Sequence, residues 1–293
     1  MPELPDVEVY VDCLRARLIG AAPEAIRLKS AFLLRTVEPP VAAAVGRPVV
    51  AVGRLGKRIV ISHEGDLHLV LHLMIAGRLH WRAPRAPLHS KLGLLAVDFP
   101  AGSLQLTEAG SHKRASLHSV QGAGALRALD PGGAEVDRLT PEEFGPRLVL
   151  GGAHTLKRAL TDPRRFSGIG NAYSDEILHH ARLSPLRRTD QLDAAEIARL
   201  HASALQVLQH WTRRLREEAE GGWPRTVTAF RDGMAVHGRF KKPCPDCGAP
   251  VQRIVHGERE TNYCARCQTG GRLLKDRALS RLLRDGWPRE LDE

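Results

Sequence analysis

An α+β fold follows from three features of the chain: β-rich runs through its first half, helical periodicity from about Pro141, and four cysteines in two CxxC pairs near its far end. The runs need a sheet-based core, the periodic stretch needs helices packed on another layer, and the cysteines predict a small metal-bound hairpin.

Pro5 suits a first helical turn, and Asp6 and Glu8 favour the positive end of a helix dipole. Val7, Tyr10, Val11, Leu14 and Leu18 then recur at helical spacing, which predicts a helix beginning a few residues after Pro2. Cys13 sits on this apolar pattern and is expected to be inert core.

Seven strand-like runs follow, over residues 48–54, 58–62, 67–73, 77–81, 92–99, 103–107 and 115–120. Glu64-Gly65-Asp66 and Pro100-Ala101-Gly102 mark hairpin turns between them. That spacing predicts a β-sandwich or a barrel.

Asp130-Pro131-Gly132-Gly133 breaks the pattern and places a domain boundary near residues 130–140. Helices are predicted over 141–150, 154–160 and 171–181, then a longer one through Ile197, Leu200, Leu205, Leu208, Trp211 and Leu215, closed by Gly221-Gly222-Trp223-Pro224. Beyond Cys267, the residues Leu273, Leu274, Leu279, Leu282 and Leu283 predict an amphipathic helix.

At 293 residues with 43% hydrophobic content, the chain can bury at least one sizeable core. No stretch approaches the roughly 18 apolar residues of a membrane-spanning helix, and the start lacks a signal-peptide pattern. The expectation is a monomer in the cytoplasm, associated with the nucleoid if the source is prokaryotic.

The formal charge of +10 is unevenly spread. Residues 51–140 carry eleven basic and seven acidic side chains, and residues 225–293 carry fourteen and nine. Localised positive charge is the footprint of a polyanion partner, because each neutralised phosphate releases condensed counterions.

Cys244-x2-Cys247 and Cys264-x2-Cys267, with sixteen residues between the pairs, match the zinc-ribbon spacing. Four thiolates close a tetrahedron and leave no position for water or substrate, so one structural Zn2+ is expected. Such sites contribute on the order of 10 kcal/mol to folding, so the hairpin depends on the ion. Five cysteines this clustered exclude a disulfide framework.

Gly168-Ile169-Gly170-Asn171 precedes a helical stretch and can expose N–H groups to a phosphate. Together with Pro2-Glu3-Leu4-Pro5, His72-Leu73-Met74 within a strand, and the four-cysteine hairpin, in that order, the set resembles the formamidopyrimidine-DNA glycosylase and endonuclease VIII family over about residues 1–268. Leu4 is more similar to the formamidopyrimidine branch.

The resemblance implies an N-terminal β-sandwich with flanking helices, a helix-two-turn-helix domain and a C-terminal zinc-binding β-hairpin, with damaged double-stranded DNA held in the cleft between domains. The chain divides into a catalytic sandwich at 1–135, a DNA-binding helical domain at 136–224, a zinc hairpin at 225–270 and, beyond the resemblance, an extension at 271–293 that the leucine pattern predicts to be helical. The resemblance also implies a bifunctional glycosylase and abasic-site lyase acting on oxidised bases, purine lesions slightly favoured.

Carried over by residue, Pro2 resembles the Schiff-base nucleophile, Glu3 the proton donor, and Lys57 the lysine that assists β-elimination. His72, His89, Lys157 and Asn171 resemble DNA contacts, and Met74 a side chain that fills the gap left by an extruded base. Arg259 resembles the hairpin arginine that clamps phosphate and is linked to δ-elimination.

The chemistry suits these residue types. A nucleophilic amine must be neutral, and an α-amino group with pKa about 7.7–8.0 is roughly 10–20% neutral at pH 7, whereas a free lysine is almost wholly charged. Removal of Met1 is required, because an acylated Pro2 nitrogen is an amide.

The chain departs from the family in one stretch. Where relatives carry Thr-Asp-Pro-Arg-Arg-Phe after a strand, to read the orphaned base and wedge the stack, this sequence has residues 106–114, ending Ser111-His112-Lys113-Arg114. Asp162-Pro163-Arg164-Arg165-Phe166 repeats those letters just before the glycine turn, a look-alike out of place. Asp6, where relatives often have glutamate, is a milder departure.

Three rival readings stand beside this one. An oxidised-pyrimidine or hydantoin specialist would share the scaffold, and a non-catalytic damaged-DNA-binding zinc protein would need none of Pro2, Glu3 and Lys57. A basic zinc-ribbon protein of RNA metabolism would explain charge and cysteines but leave Pro2-Glu3 idle.

Overall fold

The computed structural model describes residues 1–110, 112–257, 259–275 and 290–291. They fall into two compact units, Met1–Pro131 with Trp211–Thr228, and Gly132–His210 with Ala229–Glu293. Of the expected C-terminal helix, Leu279, Leu282 and Leu283 lie outside the described residues, and Leu273 and Leu274 take no regular structure.

In the first unit, helix α1 (Leu4–Leu18) leads into β1 (Ala25–Leu28), β2 (Val49–Leu55), β3 (Arg58–His63), β4 (Leu67–His72), β5 (Gly77–Arg82), β6 (Gly93–Phe99), β7 (Gly102–Glu108), β8 (Ser116–Gln121) and helix α2 (Gly122–Ala128). The strands form two antiparallel four-stranded sheets, ordered β1-β6-β7-β5 and β2-β3-β4-β8. The unit is therefore a sandwich: each sheet ends in its own edge strands, where a barrel would close on itself.

Side-chain alternation explains the layering. Ile59, Ile61, Leu69 and Leu71 of one sheet share a core with Leu79, Leu95, Val97, Leu104 and Leu106 of the other, together with Val7, Tyr10, Leu14 and Leu18 of α1. Val60, Val70 and Val120 point the opposite way and pack with Leu126 of α2 and the following Leu129. Two strands buried on both faces account for the nearly unbroken apolar runs in β3 and β4.

Strand β1 and helix α2 were not among the predicted elements. All four residues of β1 are half-buried, so the strand has no alternation to read. Arg27 within it forms a two-pronged ion pair with the buried Asp98, at 2.6 and 2.8 Å. Burial pushes the Asp98 carboxyl up, but hydrogen bonds from Arg27 and Ser103 outweigh it and hold the group below its ordinary range.

Segment 211–228 completes this unit. The Trp223 indole lies 5.6 Å from Tyr10 and 6.4 Å from Trp81, and its N–H donates to Leu79 O at 3.0 Å. Cys13 is buried as expected, its thiol 3.0 Å from Gly222 O.

The second unit contains α3 (Pro141–Val149), α4 (Leu156–Thr161), α5 (Asn171–His180), most of α6 (Ala194–Ala219), the hairpin β9 (Gln252–His256) and β10 (Arg259–Tyr263), and the short α7 (Ala265–Thr269). A reciprocal cap starts α3: Glu143 N donates to Thr140 Oγ1, and Thr140 N donates to Glu143 Oε2.

In Asp162–Phe166, Pro163 and Arg164 are exposed, while Arg165 and Phe166 belong to this unit's interior. Arg165 is 1% exposed and donates to Leu148 O and Gly152 O, while Phe166 is fully buried with its ring 4.6 Å from Phe144. The last two side chains of the look-alike motif are core, both committed to packing.

Candidate functional site

The chain's start is built as an acidic cap. Asp6 accepts the Glu3 N–H at 3.0 Å, which satisfies one of the orphan donors at the head of α1. Pro2, Glu3 and Asp6 are all buried. Burial pushes the Met1 amino group below its ordinary value; Glu3 and Asp6 oppose this, and Arg78 and Lys57 reinforce it.

Lys57 stands at the tip of the β2–β3 hairpin, in a two-residue turn with Gly56 between the paired Leu55 and Arg58. Gly56 has φ +58°, a conformation that the first position of such a tight turn requires and that glycine adopts without strain. Burial lowers the Lys57 ammonium's pKa, and the Glu3 carboxylate partly restores it. Glu3, Lys57 and the terminal amine thus share one electrostatic neighbourhood.

His72 closes β4, paired with Arg58 on one side and Ser116 on the other. Burial first, then the charges of Arg58, Lys57 and His118, push its imidazole down to about 4, so it is neutral at physiological pH. Met74 lies beyond the strand rather than within it. Its φ of +51° takes the backbone out of the β region, and His72 Nδ1 lies 2.6 Å from its sulfur.

His89 is exposed, and its Nδ1 accepts from the backbone N–H groups of Lys91 and Leu92, both at 3.2 Å. That assigns the ring proton to Nε2, where it can donate outward.

The segment after β7 closes on Glu108, whose buried carboxylate accepts from Arg114 N and Ala115 N. The Lys113 ammonium bonds back to Glu108 O. His112 and Arg114 stay exposed.

In the second unit, Asn171 opens α5 and its Nδ2 donates to Glu260 O of β10 at 2.9 Å. The Lys157 ammonium sits 2.6 Å from both Asn171 O and Asp175 Oδ1. Arg259 is exposed at the start of β10, in register with His256.

Sequence reasoning missed the acidic pair that organises these groups. Asp175, with a fully buried side chain, also accepts from His237 Nδ1 at 2.8 Å. Glu176 accepts the backbone N–H groups of Ala235, Val236 and His237 at 2.7, 2.9 and 2.9 Å. The available signal was the four-residue spacing of Asn171, Asp175 and His179, which puts them on one helical face.

Cys244, Cys247, Cys264 and Cys267 converge, with contacts of 3.9 Å between Cys244 and Cys267 and 3.4 Å between Cys247 and Cys264. A tetrahedral ion at about 2.3 Å from each sulfur sets those edges near 3.8 Å, so the thiols fit zinc. Burial raises Cys264 to about 11 and Cys267 higher still, so a bound cation is what allows four thiolates together.

A strand sandwich with a buried acidic N-terminus, a helical unit and a four-cysteine hairpin define a zinc-hairpin protein of the α+β class. Residues 1–118 match the formamidopyrimidine-DNA glycosylase N-terminal domain, 138–216 its H2TH domain, and 241–270 the zinc finger found in FPG and IleRS. A formamidopyrimidine-DNA glycosylase of Roseiflexus sp. is 32% identical over 92% of this chain and 100% of its own length.

The chain belongs to the formamidopyrimidine-DNA glycosylase family. A Lactococcus lactis FPG mutant in complex with a Fapy-dG containing DNA aligns at a TM-score of 0.79 and 26% identity, over 92% of this chain and all of that one. The wild-type Lactococcus lactis FPG (MutM) with an oxidized pyrimidine containing DNA aligns at 0.81 and 25%, with the same coverage. Among the described residues, no helix is long and apolar enough to cross a membrane.

Proposed function

We propose that this protein excises oxidised bases from double-stranded DNA and then cleaves the resulting abasic site, using the Pro2 nitrogen freed by removal of Met1. The observation that carries the reading is the environment at the chain's start. Burial there holds an amino group below its ordinary pKa beside Glu3 and Lys57. Loss of Met1 hands that environment to a secondary amine, and a larger neutral fraction makes it a better nucleophile.

Pro2 N attacks C1′ of the flipped-out nucleotide, the bond to the base breaks with its electron pair leaving on the base, and the proton given up by the Pro2 nitrogen neutralises the departing base. Glu3 delivers a proton to the sugar ring oxygen, so that the ring opens to an iminium. The iminium acidifies the C2′ hydrogen, and Lys57 assists the β-elimination that breaks the C3′–O bond. A second, δ-elimination breaks the C5′–O bond. Arg259 holds a phosphate at this stage, as its exposed guanidinium permits.

His72, neutral and close to two cations, and His89, with its Nε2–H outward, serve as phosphate donors. Met74 occupies the space of the extruded base. Lys157 uses two of its three hydrogens inside the protein, and Asn171 one of its two, which leaves each a donor for DNA. The zinc ion holds the hairpin and takes no part in the reaction.

Purine lesions are slightly favoured, in keeping with the Fapy-dG complex of the Lactococcus protein. The loop closed by Glu108 lacks a phenylalanine wedge, and the same relative's complex with an oxidized pyrimidine supports the alternative of a pyrimidine or hydantoin preference. The reading extends to a cytoplasmic monomer. Borohydride trapping on abasic-site DNA with Met1-processed protein should yield a covalent adduct. Binding of the duplex without an adduct would leave only a damage-binding protein, and a panel of defined lesions in one duplex ranks the substrates.

A further inference from the structure

Helix α5 meets the zinc hairpin at both of its ends. Asn171 at its start bonds to Glu260 O, and His179 in its last turn reaches the metal ligands. His179 is 3% exposed in its side chain, and its Nε2 lies 3.3 Å from Cys244 Sγ and 3.9 Å from Asp246 Oδ2. The His179, Asp246 and Cys267 ligand atoms lie within 4.8 Å of one another, so the imidazole sits against one edge of the sulfur cluster.

We infer that His179 is a positioning residue for the structural zinc: its Nε2–H donates to the Cys244 thiolate and governs how tightly the ion is held. A zinc-bound thiolate carries no proton and can only accept, so the contact requires the hydrogen on Nε2. Such a bond draws electron density from the sulfur and lowers its affinity for a competing proton, so the protonation that opens the Zn–S bond is slower. Outer partners of this kind typically account for about 10–100-fold in metal affinity. The same contact ties the ion to the helix that carries Asn171, Asp175 and Glu176, so metal retention and helix placement are coupled through one ring.

The test uses the full-length zinc protein with His179→Phe and His179→Leu, which keep bulk without a donor, and His179→Gln, which keeps an N–H at the end of a side chain of comparable reach. Zinc release into excess colorimetric chelator should accelerate about tenfold or more in an apolar variant and return toward the parent rate in His179→Gln. In cobalt-substituted protein, the thiolate-to-metal charge-transfer band should move to longer wavelength in the apolar variants and back in His179→Gln. Parent-like release with an unmoved band in whichever apolar variant folds overturns the inference. So does a His179→Gln protein that loses zinc as fast as the apolar variants, because packing alone would then explain the effect.

Discussion

Replacing Glu176 with glutamine tests whether one buried carboxylate holds the segment leading into the zinc hairpin. Oε1 accepts from Val236 and His237 N–H groups, and Oε2 from Ala235 N–H. Glutamine offers one carbonyl oxygen for the first two and turns an NH2 toward the third donor. Two charge-assisted bonds become neutral, each losing about 1 kcal/mol, and one buried N–H loses its acceptor at about 1–3 kcal/mol. The sum is about 3–5 kcal/mol, most of it local.

Hydrogen exchange is the fitting assay, because a protein of two units need not unfold in a single step. The Ala235, Val236 and His237 amides should exchange at least about two orders of magnitude faster, since each 1.4 kcal/mol is tenfold. Amides of the β3–β4 pair serve as the internal control. A change below about tenfold at all three positions would refute the view that Glu176 is what fixes this segment.

Three further outcomes are expected. His72 should titrate near 4 by NMR, and because its folded pKa is depressed, its contribution to stability is present above about 6.5 and falls away as pH drops toward 4. An inflection near 6.5 would contradict its burial beside Arg58 and Lys57. Arg259→Ala should lower the salt dependence of DNA binding by about one phosphate's worth, and an unchanged slope would reject the contact. Stripping zinc with a chelator should unfold residues 241–270 while the sandwich of Met1–Pro131 keeps its strand signal; joint melting would show that the ion supports more than the hairpin.

Local chemistry made much of this legible before any coordinates. The head of α1 was readable because proline and aspartate act within one turn, and the metal site because each CxxC is a self-contained ligand pair. Seven strands showed through their apolar runs, but the choice between sandwich and barrel depends on which strands pair across the chain, and spacing holds no such information. Strand β1 is short and half-buried throughout, and α2 begins Gly-Ala-Gly-Ala, whose two glycines are weak helix formers, so the helix is held by Leu126 packing on the sheet. Glu176 and His179 find partners about sixty residues away, too far for any window to reveal. The motif at Asp162–Phe166 shows the reverse hazard, since identical letters here send Arg165 and Phe166 into the core, where neither can reach a ligand.

The tight link between β2 and β3 constrains how this protein can vary. Strand side chains swap faces with every step, so one residue inserted between Leu55 and Arg58 would rotate everything downstream of it or force a bulge. Gly56 and Lys57 are each fixed at that bend, one by its positive φ and the other by its charge near Glu3, and lengthening or shortening it would swing the amine of Lys57 away from Glu3.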